Sequence, residues 1–291
     1  MKFPNLPLPP IDRATDWVAR QVRARVPKAD MSDRDPAFIA CAVEPSWQLA
    51  RAYFRADVRG MEQIPDDGPI LLVGNHSGGN VSPEALVTTL AFAHYFGPER
   101  PFYQLAHNLV MAVPFLGSFL SRFGTVAADP DSAKAALRGG AAVLVYPGGD
   151  WEVHRPTWEE DRLDFAGRTG FLRLAWDEHV PIVPFVNYGA QQNALMLTRG
   201  DRIARLLRLD RTLRLKVFPI SLALPWGLNI SDLAGHIPLP TKVTVEFLPP
   251  IDLHEILGPE LDVDRGYEYV TGIMQEALSR LAEERTLPIL G

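Results

Sequence analysis

Short apolar runs of strand length alternate with helix-length segments along most of this 291-residue chain. The clearest run, PILLVGNH, is followed by a helix signal, with Ser82 as the predicted N-cap, Pro83 at the first helical position and Gly97 as the stop. Alternation of this kind is typical of layered α/β proteins. We therefore predict an α/β fold with a central, mostly parallel sheet flanked by helices.

Other segments extend the same alternation, and the C-terminal helix has one apolar face. The further strand candidates are FYQLA, GTVAA, AAVLVYPGG, VPIVPFVNYG and KVTVEFLPPIDL. The apolar face consists of Val270, Ile273, Met274, Ala277, Leu278 and Leu281. No linker rich in Gly, Ser or Pro divides the chain beyond its N-terminal part. We expect one domain at 54–291, preceded at 1–53 by an N-terminal helical addition that is a candidate for membrane association.

Charge and cysteine content limit the classes of partner. The net charge of −6 and the pI of 5.7 argue against nucleic-acid binding. The single Cys41 excludes an internal disulfide framework. Prolines interrupt the N-terminus where a signal peptide needs an apolar run, and no uncharged apolar run reaches the roughly 18 residues of a membrane-spanning helix. We expect an intracellular chain at the cytoplasmic face of a membrane, peripheral or monotopic.

Three segments leave two interpretations open. The stretches 109–120 and 217–228 are apolar and broken by proline, so each is either a buried core segment or a monotopic contact with a bilayer. The segment 199–216 places an arginine at every third position among apolar residues. It is either a solvated face or a surface for anionic headgroups or for the phosphates of CoA, and DWVARQVRARV near the N-terminus has a similar composition.

Two strand ends carry titratable residues next to paired glycines. His76 follows the first strand and precedes Gly78 and Gly79, and the turn YPGGDWE at 146–152 follows a later strand. In open α/β sheets the carboxyl ends of strands border the ligand crevice. A histidine at a strand end is also often structural, and paired glycines often serve turn geometry alone. The repetition of the pattern favours a functional site here.

Four blocks of the sequence, in this order, carry a resemblance to a known family: GNHSGG at 74–79, LVYPGGDWE at 144–152, DFAGRTGFLRLA at 164–175 and VPIVPFVNYG at 180–189. They resemble the glycerolipid and lysophospholipid acyltransferase superfamily, and most of all its monoacylglycerol and diacylglycerol acyltransferase-like branch. The lead-in at 54–79 and LPPIDL at 248–253 are similar to the same family. Each block alone is weakly specific, whereas their order and spacing together are fairly specific.

The resemblance implies transfer of an acyl group from acyl-CoA or acyl carrier protein to the hydroxyl of a membrane lipid: a lysophospholipid, monoacylglycerol or diacylglycerol. It identifies His76 as the family histidine. A neutral imidazole can take the proton of the attacking hydroxyl, and such general-base assistance is typically worth about 10²- to 10⁴-fold. The thioester is already activated, so no acyl-enzyme and no cofactor is expected.

One position departs from the family pattern. Most members carry an acid five residues after the histidine, where it fixes the imidazole tautomer, whereas this chain has Val81. Glu84, in the first turn of the following helix, is our predicted substitute. Asp150 and Glu152 in the second glycine turn are alternatives, as is a backbone carbonyl. Glu84 could also be an ordinary acid at a helix N-terminus.

Donor groups for the substrate come from the two glycine turns and from two arginines. Backbone N–H groups of Gly78, Gly79, Gly148 and Gly149 are candidates for stabilising the oxyanion. Arg155 and Arg168 are candidates for binding a phosphate of donor or acceptor, and Arg168 could also be a surface residue. Glu152 is a further candidate for substrate binding. Phospholipid-acylating members resemble FPEGTRS where this chain has YPGGDWEVH, which weakens the inference that the acceptor is phosphorylated.

Other functional classes fit the sequence less well. The histidines have no metal-ligand spacing, so no metal is predicted. A lipid esterase or thioesterase would need a serine nucleophile, and the chain lacks G-x-S-x-G. A lipid-binding member that lost catalysis with the missing aspartate is the remaining alternative to an acyltransferase.

Overall fold

A mixed seven-stranded sheet organises the protein in the computed structural model, which describes residues 30–113, 115–209, 216–232 and 235–291. Its strands are β1 (Asp57–Arg59), β2 (Ile70–Gly74), β3 (Phe102–Ala106), β4 (Thr125–Ala127), β5 (Ala142–Val145), β6 (Ile182–Tyr188) and β10 (Thr244–Phe247). The spatial order is β1-β10-β6-β2-β5-β3-β4. Strands β6, β2, β5, β3 and β4 are parallel, and β10 runs antiparallel to β6. The predicted α/β class and mostly parallel sheet are confirmed.

Helices cover both faces of this sheet. They are α1 (Pro36–Phe54), α2 (Pro83–Phe96), α3 (Asn108–Met111), α4 (Leu116–Arg122), α5 (Pro130–Arg138), α6 (Gly149–Val153), α7 (Gly170–Glu178), α8 (Asp201–Leu206), α9 (Leu253–Leu257) and α10 (Val263–Glu284). Helix α2 starts with Pro83 and is capped by Gly97 in a positive-φ conformation, as the sequence predicts. The apolar face of α10 is buried as predicted, with Ile273 at its edge.

The period-2 alternation of the strands divides the core into two layers. Leu72 and Leu144 face one side, where they pack with α1 and α2. Leu71 and Val143 face the other, where they pack with residues of α5, α7 and α10. Both faces of β2 are therefore buried, which explains why its sequence is a continuous apolar run.

Helix α1 is part of this core. Asp35 caps its start by accepting the Phe38 N–H at 2.9 Å. Its buried side chains pack against α2 in the same apolar cluster as the sheet: Ile39, Val43, Trp47, Ala50 and Phe54. The part of the predicted N-terminal addition that the structure describes is thus packed onto the sheet and α2. The basic segment DWVARQVRARV at 16–26 lies outside the described residues, and the division at residue 53 stays a prediction.

A second, antiparallel sheet follows β6 in the chain. Its strands are β7 (Leu195–Thr198), β8 (Ile220–Ala223) and β9 (Gly227–Ile230), in the order β7-β8-β9. Helix α8 lies in the connection from β7 to β8. Over the described ranges, no helix combines the length and apolar character needed to cross a bilayer.

Candidate active site

Strand β2 lies between β5 and β6, and its carboxyl end carries the predicted site. Gly74, its last residue, allows the Phe185 ring of β6 to pack directly on the backbone, since a Cβ at Gly74 would lie 2.0 Å from that ring. Beyond it, Asn75 Oδ1 accepts the Asn187 N–H at 2.7 Å and Asn75 Nδ2 donates to the Asn187 carbonyl at 2.9 Å. Side-chain hydrogen bonds thereby continue the pairing of β2 with β6 and fix the backbone that leads into His76.

The loop after His76 turns sharply because several residues have left-handed backbone. Gly78, Gly79 and Ser82 have φ of 85°, 64° and 44°. The sequence predicted that Ser82 caps α2, but its side chain makes no capping hydrogen bond. Its hydroxyl donates instead to the Gly79 carbonyl at 2.8 Å. This turn brings the first turn of α2, with Glu84, back against the strand end.

His76 and Glu84 form a hydrogen-bonded pair. His76 Nδ1 lies 2.6 Å from Glu84 Oε1, and that oxygen also accepts the Ser77 N–H at 3.0 Å. The Glu84 side chain is fully buried, whereas 18% of the His76 side chain is exposed. A carboxylate accepts hydrogen bonds, so Nδ1 carries the proton and Nε2 carries the lone pair. Within the described part of the chain Nε2 has no hydrogen-bond partner.

Tyr146, at the end of β5, supports the imidazole from its face. The two rings are stacked, with centroids 4.4 Å apart and an angle of 13° between their planes. Phe185 packs edge-on against Tyr146 from the other side, at 5.8 Å. Burial, together with the negative charge of Glu84, raises the pKa of the Tyr146 hydroxyl well above its ordinary value. Tyr146 is therefore neutral, and it restricts the rotation of His76 by contact with its ring.

Glu152 and Asp150 do not contact the imidazole ring. Glu152 is fully buried and accepts the backbone N–H of His76 at 2.9 Å, so it holds the main chain of the loop. Burial raises the pKa of Glu152 to about 7, against the opposing effects of Arg155 and the hydrogen bonds it accepts. Asp150 instead accepts from the Arg168 guanidinium at 2.7 Å. The two alternative partners proposed for the His76 ring are thus both wrong, because their carboxylates bind other groups.

The structure places Arg155 inside the protein, not at a phosphate site. Its side chain is fully buried. It donates to the His76 carbonyl at 2.9 Å, to Ser77 Oγ at 3.1 Å and to the Glu160 carbonyl at 3.2 Å. The predicted phosphate-binding role is wrong because every described partner is internal, and Arg155 instead joins the loop after β2 to the segment after β5.

Arg168 has a similar bracing role closer to the surface. Its guanidinium donates to the Gly148 carbonyl at 2.6 Å and to the Pro147 carbonyl at 3.1 Å, besides its ion pair with Asp150. About a third of the side chain is exposed. Arg168 is thus not a plain surface residue. Its guanidinium is engaged within the protein, where these hydrogen bonds hold the Pro-Gly-Gly turn in place, so it does not offer a phosphate site.

The four candidate oxyanion donors are not equivalent. Gly78 N–H donates to Gln191 Oε1 at 2.7 Å, and Gly149 N–H donates to the Tyr146 carbonyl at 3.1 Å. Both groups are already bonded within the protein, so they are unsuited to stabilising an oxyanion. Gly79 and Gly148 remain the candidates.

Several residues of the site were not predicted. Buried polar side chains from the segment after β6 and from the second sheet hold the glycine loop: Gln191, Asn193, Asp232 and His236. Asp232 accepts the Asn80 N–H at 2.7 Å and pairs with His236 at 3.0 Å. These residues lie more than 100 positions from the loop along the chain, and no local pattern marks them. Only Tyr146, inside the YPGG block, had a usable signal.

The described residues contain no group of three or more His, Cys, Asp or Glu side chains arranged to hold a metal ion. A metal-free site stays a prediction.

The chain is similar to known acyltransferases. The family model for acyltransferases matches residues 55–187. An uncharacterized protein of Mycobacterium tuberculosis is 31% identical over 230 residues, which are 78% of this chain and 61% of that protein. The bovine DGAT1/2-independent enzyme synthesizing storage lipids is 26% identical over 192 residues, covering 66% of this chain and 55% of the enzyme.

Among solved structures, the 1-acyl-sn-glycerophosphate acyltransferase PlsC of Thermotoga maritima superposes with a TM-score of 0.52 at 16% identity. The match covers 91% of this chain and 89% of PlsC, and it bears on the fold alone. The chain spans about three fifths of the length of the mycobacterial relatives. The family-model match and the relatives that are named as lipid-synthesising enzymes, together with the ordered sequence blocks, support placing the chain in the glycerolipid acyltransferase superfamily.

Proposed function

We propose that this protein is an O-acyltransferase that moves a fatty acyl group from a thioester to the hydroxyl of a membrane lipid, with His76 as general base. The observation that carries the proposal is the 2.6 Å contact between His76 Nδ1 and Glu84 Oε1. It leaves the lone pair on Nε2, the atom opposite the buried carboxylate. Glu84 thus supplies the acid that the family pattern places five residues after the histidine.

The reaction follows from this arrangement. His76 Nε2 removes the proton from the acceptor hydroxyl as its oxygen attacks the thioester carbonyl carbon, and the negative charge of buried Glu84 stabilises the imidazolium that forms. The tetrahedral oxyanion accepts hydrogen bonds from preorganised donors, for which the N–H groups of Gly79 and Gly148 are candidates. Collapse breaks the carbon–sulfur bond, and the imidazolium returns the proton to the departing thiolate.

Donor and acceptor classes are the finer part of the proposal. The donor is the thioester of CoA or of acyl carrier protein. Among lysophospholipid, monoacylglycerol and diacylglycerol we favour the last two, because Arg155 and Arg168 are engaged within the protein and so do not offer a phosphate site. The bovine relative, an enzyme that synthesises storage lipids, agrees with a neutral acceptor. We place the reaction at the cytoplasmic face of a membrane.

A panel assay tests the proposal. Radiolabelled acyl-CoA and acyl carrier protein are each incubated with lysophospholipid, monoacylglycerol and diacylglycerol, and products are separated by thin-layer chromatography. We expect His76→Ala to abolish product formation. His94→Ala is the matched control, because His94 pairs with Glu44 at 3.0 Å on an exposed part of α1 and α2. If His76→Ala keeps the wild-type rate, the mechanism is wrong.

The same assay separates the two alternatives. A lipid-binding member without catalysis would form no product with any pair of substrates. An esterase or thioesterase would release free fatty acid through a serine nucleophile, and a fluorophosphonate probe would then label the protein. The serine adjacent to the base, Ser77, is fully buried and its hydroxyl accepts from Arg155 at 3.1 Å, an arrangement that does not favour a nucleophile.

A further inference from the structure

The sheet formed by β7, β8 and β9 has its apolar side chains on the outside. Leu195 of β7, Leu222 of β8 and Leu228 of β9 lie side by side across the three strands. These leucines are 43%, 45% and 58% exposed. Further exposed apolar residues extend the same region: Leu224, Trp226, Ile230 and Ile237. We call these seven residues the apolar face.

The alternate residues of the same strands point inward and include polar ones. Ser221 and Asn229 are opposite each other in the β8–β9 register, and both are buried. An antiparallel sheet that meets water on one side normally buries its apolar residues and exposes its polar ones. This sheet buries Ser221 and Asn229 beside Met196 and Ala223, and it exposes leucines instead of polar residues, so its outer face is suited to an apolar environment.

Charge is distributed to match such an environment. The segment 217–230, which forms β8 and β9, contains no charged residue. The segment 199–216, which connects β7 to β8, contains seven basic and two acidic residues, although the whole chain has a net charge of −6. Its described part includes the exposed side chains of Arg202, Arg205 and Lys216. An uncharged apolar segment that directly follows a basic segment in the chain matches the acyl and headgroup layers of an anionic bilayer.

The inner side of the same sheet packs against the proposed active site. Asp232, two residues after β9, accepts the Asn80 N–H at 2.7 Å, and its main-chain carbonyl accepts from Asn80 Nδ2 at 2.7 Å. A Cβ at Gly79 would meet the side chains of Met196 in β7 and of Asp232 within 2.7 Å. The second sheet is therefore packed against the loop between His76 and Glu84.

We propose that the apolar face inserts into the interfacial layer of an anionic lipid bilayer and thereby positions the loop between His76 and Glu84 at the membrane surface. This inference rests on the proposed function, because a lipid acceptor and its acylated product both reside in the bilayer. Trp226 suits the boundary between acyl chains and headgroups, since its Nε1 donates to the Gly235 carbonyl at 2.9 Å while the ring stays half exposed. The face fixes which side of the molecule meets the membrane.

Sedimentation with vesicles tests the face without any turnover. The full chain is mixed with vesicles of equal parts phosphatidylcholine and phosphatidylglycerol. The double variant Leu222→Ser/Leu228→Ser should lower the bound-to-free ratio at least about tenfold, because burying a leucine side chain is worth roughly one to two factors of ten. The matched control is Leu49→Ser/Leu287→Ser, which removes two leucines that are 68% and 54% exposed elsewhere. It should bind as the wild type does.

A second measurement locates the contact. Vesicles of the same composition with brominated acyl chains should quench the fluorescence of the wild type, and Trp226→Phe should lose the greater part of that quenching. Thermal unfolding of each variant checks that the fold is kept. His76→Ala, which removes the proposed base, should sediment like the wild type, so a failure of the catalytic proposal does not affect this result.

The outcomes that would overturn the inference are specific. Wild-type vesicle binding by the double variant, or unchanged quenching in Trp226→Phe, would show that another surface meets the membrane. A wild-type protein that ignores vesicles but dimerises in analytical ultracentrifugation, with the dimer lost in the double variant, would show that a second copy covers the face.

Discussion

Glu84→Gln is the substitution that most directly examines the proposed dyad. Glutamine has the shape of glutamate, and its Oε1 can still accept the His76 Nδ1–H and the Ser77 N–H, so the contacts at 2.6 and 3.0 Å can remain. The change removes the negative charge that faces the imidazolium in the transition state. Glu84 is fully buried, so bulk solvent screens its charge little.

The expected loss follows from Coulomb's law. Two unit charges about 4 Å apart interact by about 4 kcal/mol at an effective dielectric constant of about 20. Each 1.36 kcal/mol of barrier is about tenfold in rate, so kcat should fall about 10²- to 10³-fold. The interaction exists only once His76 is protonated, so KM should change little.

Steady-state release of the thiol product from the acyl donor measures both parameters. Glu44→Gln is the control, because Glu44 pairs with His94 at 3.0 Å in an exposed position. Thermal unfolding shows whether each variant folds. A folded Glu84→Gln enzyme with wild-type kcat would refute the assignment of Glu84, and a rise in KM at constant kcat would show that it acts in substrate binding instead.

Three further predictions concern the surroundings of the dyad. Tyr146→Phe should keep the ring stacked on His76 and most of the activity, whereas Tyr146→Ala should lower kcat about tenfold and stability by about 3–5 kcal/mol, measured by turnover and urea unfolding. The pKa of Glu152 is raised to about 7 in the folded protein, so between about pH 4.5 and about pH 7 the folded state binds more protons than the unfolded one. The unfolding free energy should therefore fall as pH rises from about 4.5 to about 7. Glu152→Gln should flatten this pH dependence, measured by urea titrations. Arg155→Met should cost about 3–5 kcal/mol of stability, because it breaks a buried ion pair. An Arg155→Met protein of normal stability but raised KM for acyl-CoA would instead support a phosphate-binding role.

Local rules predicted the elements well because each depends on neighbouring residues. The continuous apolar run of β2 predicted a strand buried on both faces, and Pro83 and Gly97 predicted the limits of α2. The contact between His76 and Glu84 was also within reach, since eight positions separate the two residues and the intervening glycines permit the turn. The branch of the family and the identity of the acceptor lipid stay predictions.

Predictions for charged side chains failed where the deciding partner is distant in sequence. Arg155 has the chemistry of a phosphate ligand. Its guanidinium instead donates to the His76 carbonyl and to Ser77 Oγ, which precede it in the chain by 79 and 78 positions. Glu152 and Asp150 are close in sequence to the glycine turn, but only the packing decides which groups their carboxylates meet. Burial makes such choices strict, because an unpaired polar group inside a protein costs free energy.

Sequence by itself determined that this chain forms an α/β fold with a mostly parallel sheet and a histidine at a strand end, because periodicity and helix signals act over a few residues. Tertiary structure alone decided that Glu84, and not Asp150 or Glu152, contacts the imidazole, that Tyr146 stacks on it, and that Arg155 is internal. Tertiary structure also decided which face of the second sheet is exposed. The alternation along β8 and β9 is visible in the sequence, but which side faces outward depends on the buried Asp232 cluster, which keeps Asn229 inside and leaves the leucines exposed.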